Sequence, residues 1–484
     1  MTTSERALEA LHAGANSLFR NALEACSIES AFERHIHFEG NLLRRPLGES
    51  RGEEASGDLN LKDFRQIFVV AIGKAAVPML DTLLSRMKRR SGLRGICCST
   101  EVPEKRNWRI RYFAGGHPLP NEDSFAAAKA TLSLLRNAKQ DSLVIFLLSG
   151  GGSALFDLPL DAAITVDDAV VFHQALVGCG APITEINTIR KHFSAVKGGR
   201  LALAAAAATK LSILLPDVPL RSLDTLASGP TLPDHSTVAE VHELLERYKL
   251  MEKFTGPVRR FFERGNVPES PGKTSRLAPL FQRLPWVDKE AESGADAALR
   301  TEEQAFRNSM IEVLLSSQDL VENARIAAEK AGYFVAVDNQ CDDWDYAEAA
   351  RYLLQRFSEL RAEHPRCCLI SGGEVTVTLN RTPGAGGRNQ QFALACALEL
   401  GKSPDELLVV FSAGSDGIDG NTRAAGAIAD PTTVRRAFAF GYAPEEALAR
   451  FDACPLFTAL GDSVVTGPTG HNLRDLRLLM AEPR

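Results

Sequence analysis

Short apolar runs that end at a glycine-bearing polar corner and pass into a helix-like stretch recur along this chain. That recurrence limits the fold more than any other feature. Ile67 to Ile72 runs into Gly73-Lys74 and then a helix-like stretch towards Arg90. Arg94 to Ser99 reads as a strand. Ser124 to Asn137 reads as a helix, with Asn121, Asp123 and Ser124 as candidate caps. Ser142 to Leu148 runs into Ser149-Gly150-Gly151-Gly152-Ser153, and Leu211 to Leu215 ends at Pro216-Asp217. Between them, 165–180 and 183–209 read as helices. An apolar run ending at glycine is how a buried parallel strand hands over to a helix. Strands alternating with helices predict a doubly wound α/β domain.

The pattern lapses between 264 and 304, where Pro268, Pro271, Pro279 and Pro285 fall in a stretch without a sustained period. This predicts a linker or insert separating an N-terminal domain, 1–263, from a C-terminal α/β domain, 305–484. The second half has a helix (Leu320 to Ala331), a strand (Phe334 to Asp338), a helix (Trp344 to Glu363) and a strand (Cys367 to Ser371). Val375 to Leu379 alternates like a hairpin strand, and Leu407 to Phe411 leads into Ser412-Ala-Gly-Ser-Asp-Gly. At 484 residues, two or three domains is the ordinary expectation at roughly 150 residues each. The N-terminal stretch 4–36 carries Leu8, Leu11, Ala15, Leu18 and Ala22 at helical spacing.

Composition removes several function classes. A net charge of −6 with no basic block argues against electrostatic binding of nucleic acid or membranes. The apolar runs are far shorter than the roughly 20 residues of a membrane span. No C-x-x-C pair occurs among the nine cysteines, which read as small buried hydrophobes in a reducing compartment. The expectation is a cytoplasmic protein, with a mitochondrial address as the alternative.

Several familiar phosphate and hydrolase motifs are missing: no Walker A loop, no G-x-G-x-x-G, no G-x-S-x-G and no H-E-x-x-H. The candidate chemistry sits at the polar corners, because the carboxyl ends of strands face the ligand crevice in open α/β sheets. Lys74 leads a helix after a strand, so its ammonium suits a phosphate, although such lysines are also ordinary surface residues. The three glycines between Ser149 and Ser153 can turn backbone N–H groups towards an anion, or simply make a tight turn. Arg388, with Asn389, opens a helix after two glycines. A cation there opposes the helix dipole unless an anion is bound. His117 is a candidate acid–base group. Asp217 and Asp416 are candidate metal or substrate contacts, Asp416 and Asp419 also being good turn formers.

Read together, these segments resemble the two-domain glycerate kinases with a MOFRL C-terminal domain. AIGKAA (71–76), GGHPLPNEDS (115–124), LLSGGGSAL (147–155), INTIRKHFSAVKGGRLA (186–202) and DTLASGPT (224–231) carry the resemblance in the first half. SGGEVTVTL (371–379), GGRNQ (386–390), SAGSDGIDG (412–420) and TGPTGHNLRDL (466–476) carry it in the second. The resemblance implies a Rossmann-like N-terminal domain, a MOFRL-type α/β domain and an active site in the cleft between them. It implies ATP- and Mg²⁺-dependent phosphorylation of D-glycerate, usually to 2-phosphoglycerate, by a monomer or homodimer.

By the same resemblance, Lys74 and Arg388 are catalytic or phosphate-binding. The Ser149–Ser153 nest would hold a carboxylate or phosphate, and Asp217 or Asp416 would serve Mg²⁺ or the substrate hydroxyl. The chain departs from the family pattern at Pro216, Leu220, Arg221, Gln391, His471 and Arg474. Two other readings follow: a hydroxypyruvate reductase, and a ligand-binding member whose chemistry these departures have removed.

Overall fold

The computed structural model describes residues 3–44, 58–87, 92–263, 267–271, 305–379, 382–402, 406–470 and 472–483. The chain forms two compact units. Ile28–Leu314 is one, and Met1–Ser27 with Leu315–Arg484 is the other. The first unit is therefore an insertion into the second. This division differs from the one expected at 264–304, most of which lies outside the described residues. The N-terminal helix, Thr3–Ala25, goes with the C-terminal half of the chain.

The inserted unit begins with a small antiparallel sheet, β1 (His37–Glu39), β2 (Leu42–Arg44) and β3 (Leu59–Asn60). Its main sheet contains β4 (Gln66–Ile72), β5 (Leu93–Ser99), β6 (Ile110–Ala114), β7 (Ser142–Ser149), β8 (Thr209–Leu215) and β9 (Ser309–Val313). The order is β6-β5-β4-β7-β8-β9, with every neighbouring pair parallel. The first strand of this sheet to be built thus lies beside the fourth. The strand order reverses between β4 and β7, which makes their carboxyl ends the switch point where such sheets bind ligands. Both strands are buried almost throughout, which explains their unbroken apolar sequence.

The expected helix caps are present: the Asn121 side chain accepts from the Ser124 N–H, and Ser124 Oγ accepts from the Asn121 N–H. The helix at 183–209 is interrupted. Helix Ile183–Phe193 ends, Gly198 and Gly199 take left-handed conformations, and a short helix, Arg200–Ala204, follows. Strand β6 mixes charged and aromatic side chains, so no apolar run announces it.

The enclosing unit has a mixed sheet of β10 (Phe334–Val337), β11 (Cys367–Gly372), β12 (Leu408–Gly414), β13 (Gly426–Ala429), β14 (Ser463–Val464) and β15 (Asp475–Ala481), in the order β10-β11-β15-β12-β13-β14. Strand β15 is antiparallel to both β11 and β12, so its first residue lies at their carboxyl ends. Val375 to Leu379 makes no hairpin strand; a single bridge joins Thr376 to Asp345. The Thr3–Ala25 helix lays its predicted apolar stripe on this unit, with Phe19 and Phe411 ring centroids 5.0 Å apart.

Candidate active site

In the inserted unit, β4 and β7 are stitched together just beyond their carboxyl ends. The Lys74 N–H donates to the Gly150 carbonyl at 2.9 Å, and the Ala75 N–H donates to Ser149 Oγ at 3.0 Å. Ser149 Oγ also donates to the Ile72 carbonyl at 3.3 Å, so this hydroxyl is committed to the fold. Gly73 has φ +117°, and a Cβ there would collide with the Ser149 backbone. Only glycine lets the two turns approach this closely.

The Lys74 side chain, the His117 ring and Gly151 come together above this seam. A Cβ on Gly151 would lie 3.1 Å from Lys74 Cγ and 3.2 Å from His117 Cδ2. Among the described residues no hydrogen bond or ion pair holds the Lys74 ammonium. Partial burial, and then the Lys74 charge, lower the pKa of His117, which favours a neutral imidazole. Asp217, which follows β8, brings its carboxylate against Gly150. Lys74, His117, Asp217 and the 149–153 turn are thus gathered at one switch point.

The three atoms nearest a Cβ at Gly150 all belong to the Asp217 side chain, Oδ2, Cγ and Cβ. Gly150→Ala is therefore expected to fold normally while displacing that carboxylate. Its activity loss should match that of Asp217→Ala, measured as kcat/KM at equal melting temperature. A fully active Gly150→Ala protein would remove Asp217 from the site.

Sequence reasoning missed a second layer behind this turn. Ser153 Oγ lies 2.8 Å from Ser228 Oγ, and Ser228 Oγ donates to Asn187 Oδ1 at 3.1 Å. Ala227 (φ +51°), Ser228 (φ +59°) and Gly229 (φ +61°) are three consecutive left-handed residues, a costly arrangement for the two that carry a Cβ. Nearby, Lys191 pairs with Asp224 at 2.8 Å and Asp234 at 3.0 Å. Asp157 is fully enclosed by His173 Nε2 at 2.8 Å, Ser194 Oγ at 2.6 Å and Lys197 Nζ at 2.5 Å. Burial brings Lys197 down to about 8 against the pull of Asp157.

In the enclosing unit, Arg388 opens helix Arg388–Leu400. Its guanidinium grips Asp475, Nε to Oδ2 at 2.6 Å and Nη2 to Oδ1 at 3.0 Å. A further contact, 2.7 Å, reaches Glu374. The anion that the sequence demanded beside this cation is the protein's own. Asp419 supplies the negative charge the helix start requires, accepting the N–H groups of Asn389 at 3.0 Å and Gln390 at 2.9 Å. Asn389 is buried, its Oδ1 accepting from Ser412 Oγ at 2.6 Å. Asp416 accepts the Ile418 N–H through Oδ1 at 3.0 Å, a local turn contact.

Burial and then the neighbouring Asp475 charge push Glu374 up to about 7, with Arg388 pulling the other way. A carboxyl raised this way keeps its proton in the folded chain over a pH range where the unfolded chain has lost it. Its contribution to stability therefore falls as pH rises from 4.5 towards about 7. Glu374→Gln is expected to raise the melting temperature at pH 8 by about 2–4 °C and to change it little at pH 5. A difference that does not depend on pH would refute this assignment.

Of the departures from the family pattern, Gln391 is buried and its Nε2 donates to the Leu448 carbonyl at 2.6 Å. Arg474 binds Asp342 at 2.7 Å. Leu220 packs against the core and Arg221 is exposed. His471 lies outside the described residues.

Over residues 14–263 the chain matches a family model described as a domain of unknown function (DUF4147), and over 367–475 it matches the MOFRL family. It is 31% identical over 412 residues to the glycerate 2-kinase of Pyrococcus horikoshii, a match spanning 85% of this chain and 86% of that one. The chain belongs to the glycerate kinase family. A protein of Agrobacterium vitis named putative hydroxypyruvate reductase is 31% identical over 416 residues, 85% of this chain and 98% of that one. The crystal structure of glycerate kinase from Thermotoga maritima superimposes with a TM-score of 0.75 at 27% identity, covering 98% of this chain and all of the other. The two α/β units described above are thus the glycerate kinase fold.

Proposed function

We propose that this chain phosphorylates D-glycerate with ATP, the 2-hydroxyl being the favoured acceptor. The observation that carries the reading is the Lys74 ammonium, unpartnered among the described residues, above the glycine turn at the β4–β7 switch point, in a chain of the glycerate kinase family. Phosphoryl transfer asks a protein chiefly for positioning and charge neutralisation. Lys74 supplies a mobile positive charge, and the N–H groups of the 149–153 turn favour an anion. His117, its pKa lowered by partial burial and the Lys74 charge, is suited to accept the proton of the attacking hydroxyl. Arg388, held in a fixed orientation by Asp475 and Glu374, is the second cation assigned to the reaction.

Mg²⁺ fits this chain as a companion of the nucleotide. Among the described residues no three His, Cys, Asp or Glu side chains form a cage. Mg²⁺ in such enzymes is held by one or two carboxylates and the substrate phosphates. Asp217, whose carboxylate lies against Gly150, is our candidate for that role in the inserted unit, with Asp416 the alternative in the enclosing one. The ion would neutralise phosphate charge.

Phosphorus NMR of the protein with D-glycerate, ATP and Mg²⁺ tests the reading. A glycerate 2-phosphate signal requiring all three components is expected. ADP without that signal would mean another acceptor, and no reaction would favour a binding protein. The reductase reading has the Agrobacterium vitis name and the strand order in its favour. It predicts NAD(P)H oxidation with hydroxypyruvate, and none is expected here, since the turn after β4 lacks the glycine fingerprint.

A further inference from the structure

Arg190 is 7% exposed, yet among the described residues no carboxylate holds it. The nearby Asp157 is taken by Lys197, His173 and Ser194. Among the described residues, the Arg190 guanidinium makes one long hydrogen bond, Nη1 to Asn187 Oδ1 at 3.4 Å, and its Nε has no partner. A guanidinium offers five N–H donors and cannot shed its charge in a protein. Burying one so poorly satisfied costs several kcal/mol unless something else binds it.

Its surroundings point to what that is. Asn187 Oδ1, which it touches, also receives Ser228 Oγ, and Ser228 meets Ser153 in the glycine turn. Ser228 spends its O–H on Asn187, so the Ser153 O–H is the donor between the two serines. This hydroxyl chain runs from the half-buried Ser153 inward to the guanidinium and is fixed by the strained 227–229 turn. Backbone strain kept beside an unpaired buried cation marks a ligand site rather than a packing solution.

We propose that Arg190, with Ser153 and Ser228, forms an oxyanion subsite that anchors the non-reacting anionic end of the substrate. This rests on the kinase reading and deepens it: the glycine turn and Lys74 handle the transferred phosphoryl, and Arg190 holds a carboxylate or phosphate group. The planar fork of arginine matches either. Glycerate supplies the carboxylate and the nucleotide supplies the phosphate.

Steady-state kinetics of Arg190→Gln separate the two sources. A rise in KM for D-glycerate of about 30-fold or more, with the ATP KM unchanged, is expected, as for loss of a charge-assisted pair. A rise confined to the ATP KM would keep the subsite and assign it to phosphate. Unchanged KM values in a folded variant would overturn the proposal. Arg190→Lys should recover part of the lost affinity, which a purely structural arginine would not require.

If Arg190→Gln does not fold, Ser153→Ala and Arg190→Lys carry the test. Each should raise the same KM, and no change in either overturns the proposal. If the wild-type chain phosphorylates no glycerate, the kinase reading fails separately. Thermal melts with D-glycerate alone and with inorganic phosphate alone then read the subsite. Stabilisation of the wild type lost in Arg190→Gln supports it, and equal stabilisation or none removes it.

Discussion

Lys74→Met is expected to lower kcat by about 100- to 1,000-fold, the usual cost of removing one preorganised charge from a transition state. The melting temperature should stay within about 1 °C of wild type, because the ammonium holds nothing in the described fold and surface substitutions of that kind are nearly neutral. Circular dichroism melts beside a coupled ADP-release assay give both numbers. Near wild-type turnover would remove Lys74 from the chemistry. A large loss of stability would mean that the lysine has a structural duty.

Arg388→Ala is expected to fail differently. Asp475 is 1% exposed and relies on this guanidinium for two hydrogen bonds, with Arg477 a more distant cation at 3.8 Å. Removing one partner of such a pair leaves a buried charge and costs about 3–5 kcal/mol. Arg388→Ala should therefore lower both stability and turnover. Adding Asp475→Asn should restore much of the stability and little of the turnover. If the double variant recovered both, Arg388 would be a scaffold residue only. If it recovered neither, the pair would not be what holds this end of β15. Urea unfolding and the same kinetic assay distinguish these results.

The contrast between the two cations shows where sequence reading reaches its limit. Strands β4, β5, β7 and β8 of the inserted unit are legible because each announces itself by a local apolar run, and the turns after β4 and β7 by local glycines, whereas β1, β2, β3, β6 and β9 carry no such signal. Gly73-Lys74 and Ser149–Ser153 are local signals, and their meeting follows from strand order alone. The partners of Arg388 are not local. Asp475 lies 87 positions away and begins a strand, β15, that the sequence analysis did not identify. The helix-dipole argument correctly required an anion beside Arg388 but could not say that the chain itself supplies it.

Arg190 was hidden for another reason. It sits among Lys191, His192 and Lys197, a charged run whose burial no local signal announces, and the structure buries all four. The stretch 183–209, which includes Lys197-Gly198-Gly199, reads as one helix. The left-handed Gly198 and Gly199 reveal the break only in three dimensions. The resemblance covers this stretch as a whole, and only the lack of a countercharge among the described residues singles out one arginine within it.

The threading of the two units has a consequence in time. The helix Thr3–Ala25 is synthesised before the inserted unit but packs with residues from 315 onward. During translation its apolar stripe of Leu11, Ala15, Phe19 and Ala22 has no sheet to cover until the whole inserted unit has emerged. The 28–314 segment, by contrast, is contiguous and has every strand of its own sheets. Folding on the ribosome should therefore finish the Lys74 half while helix Thr3–Ala25 is still waiting for its partner.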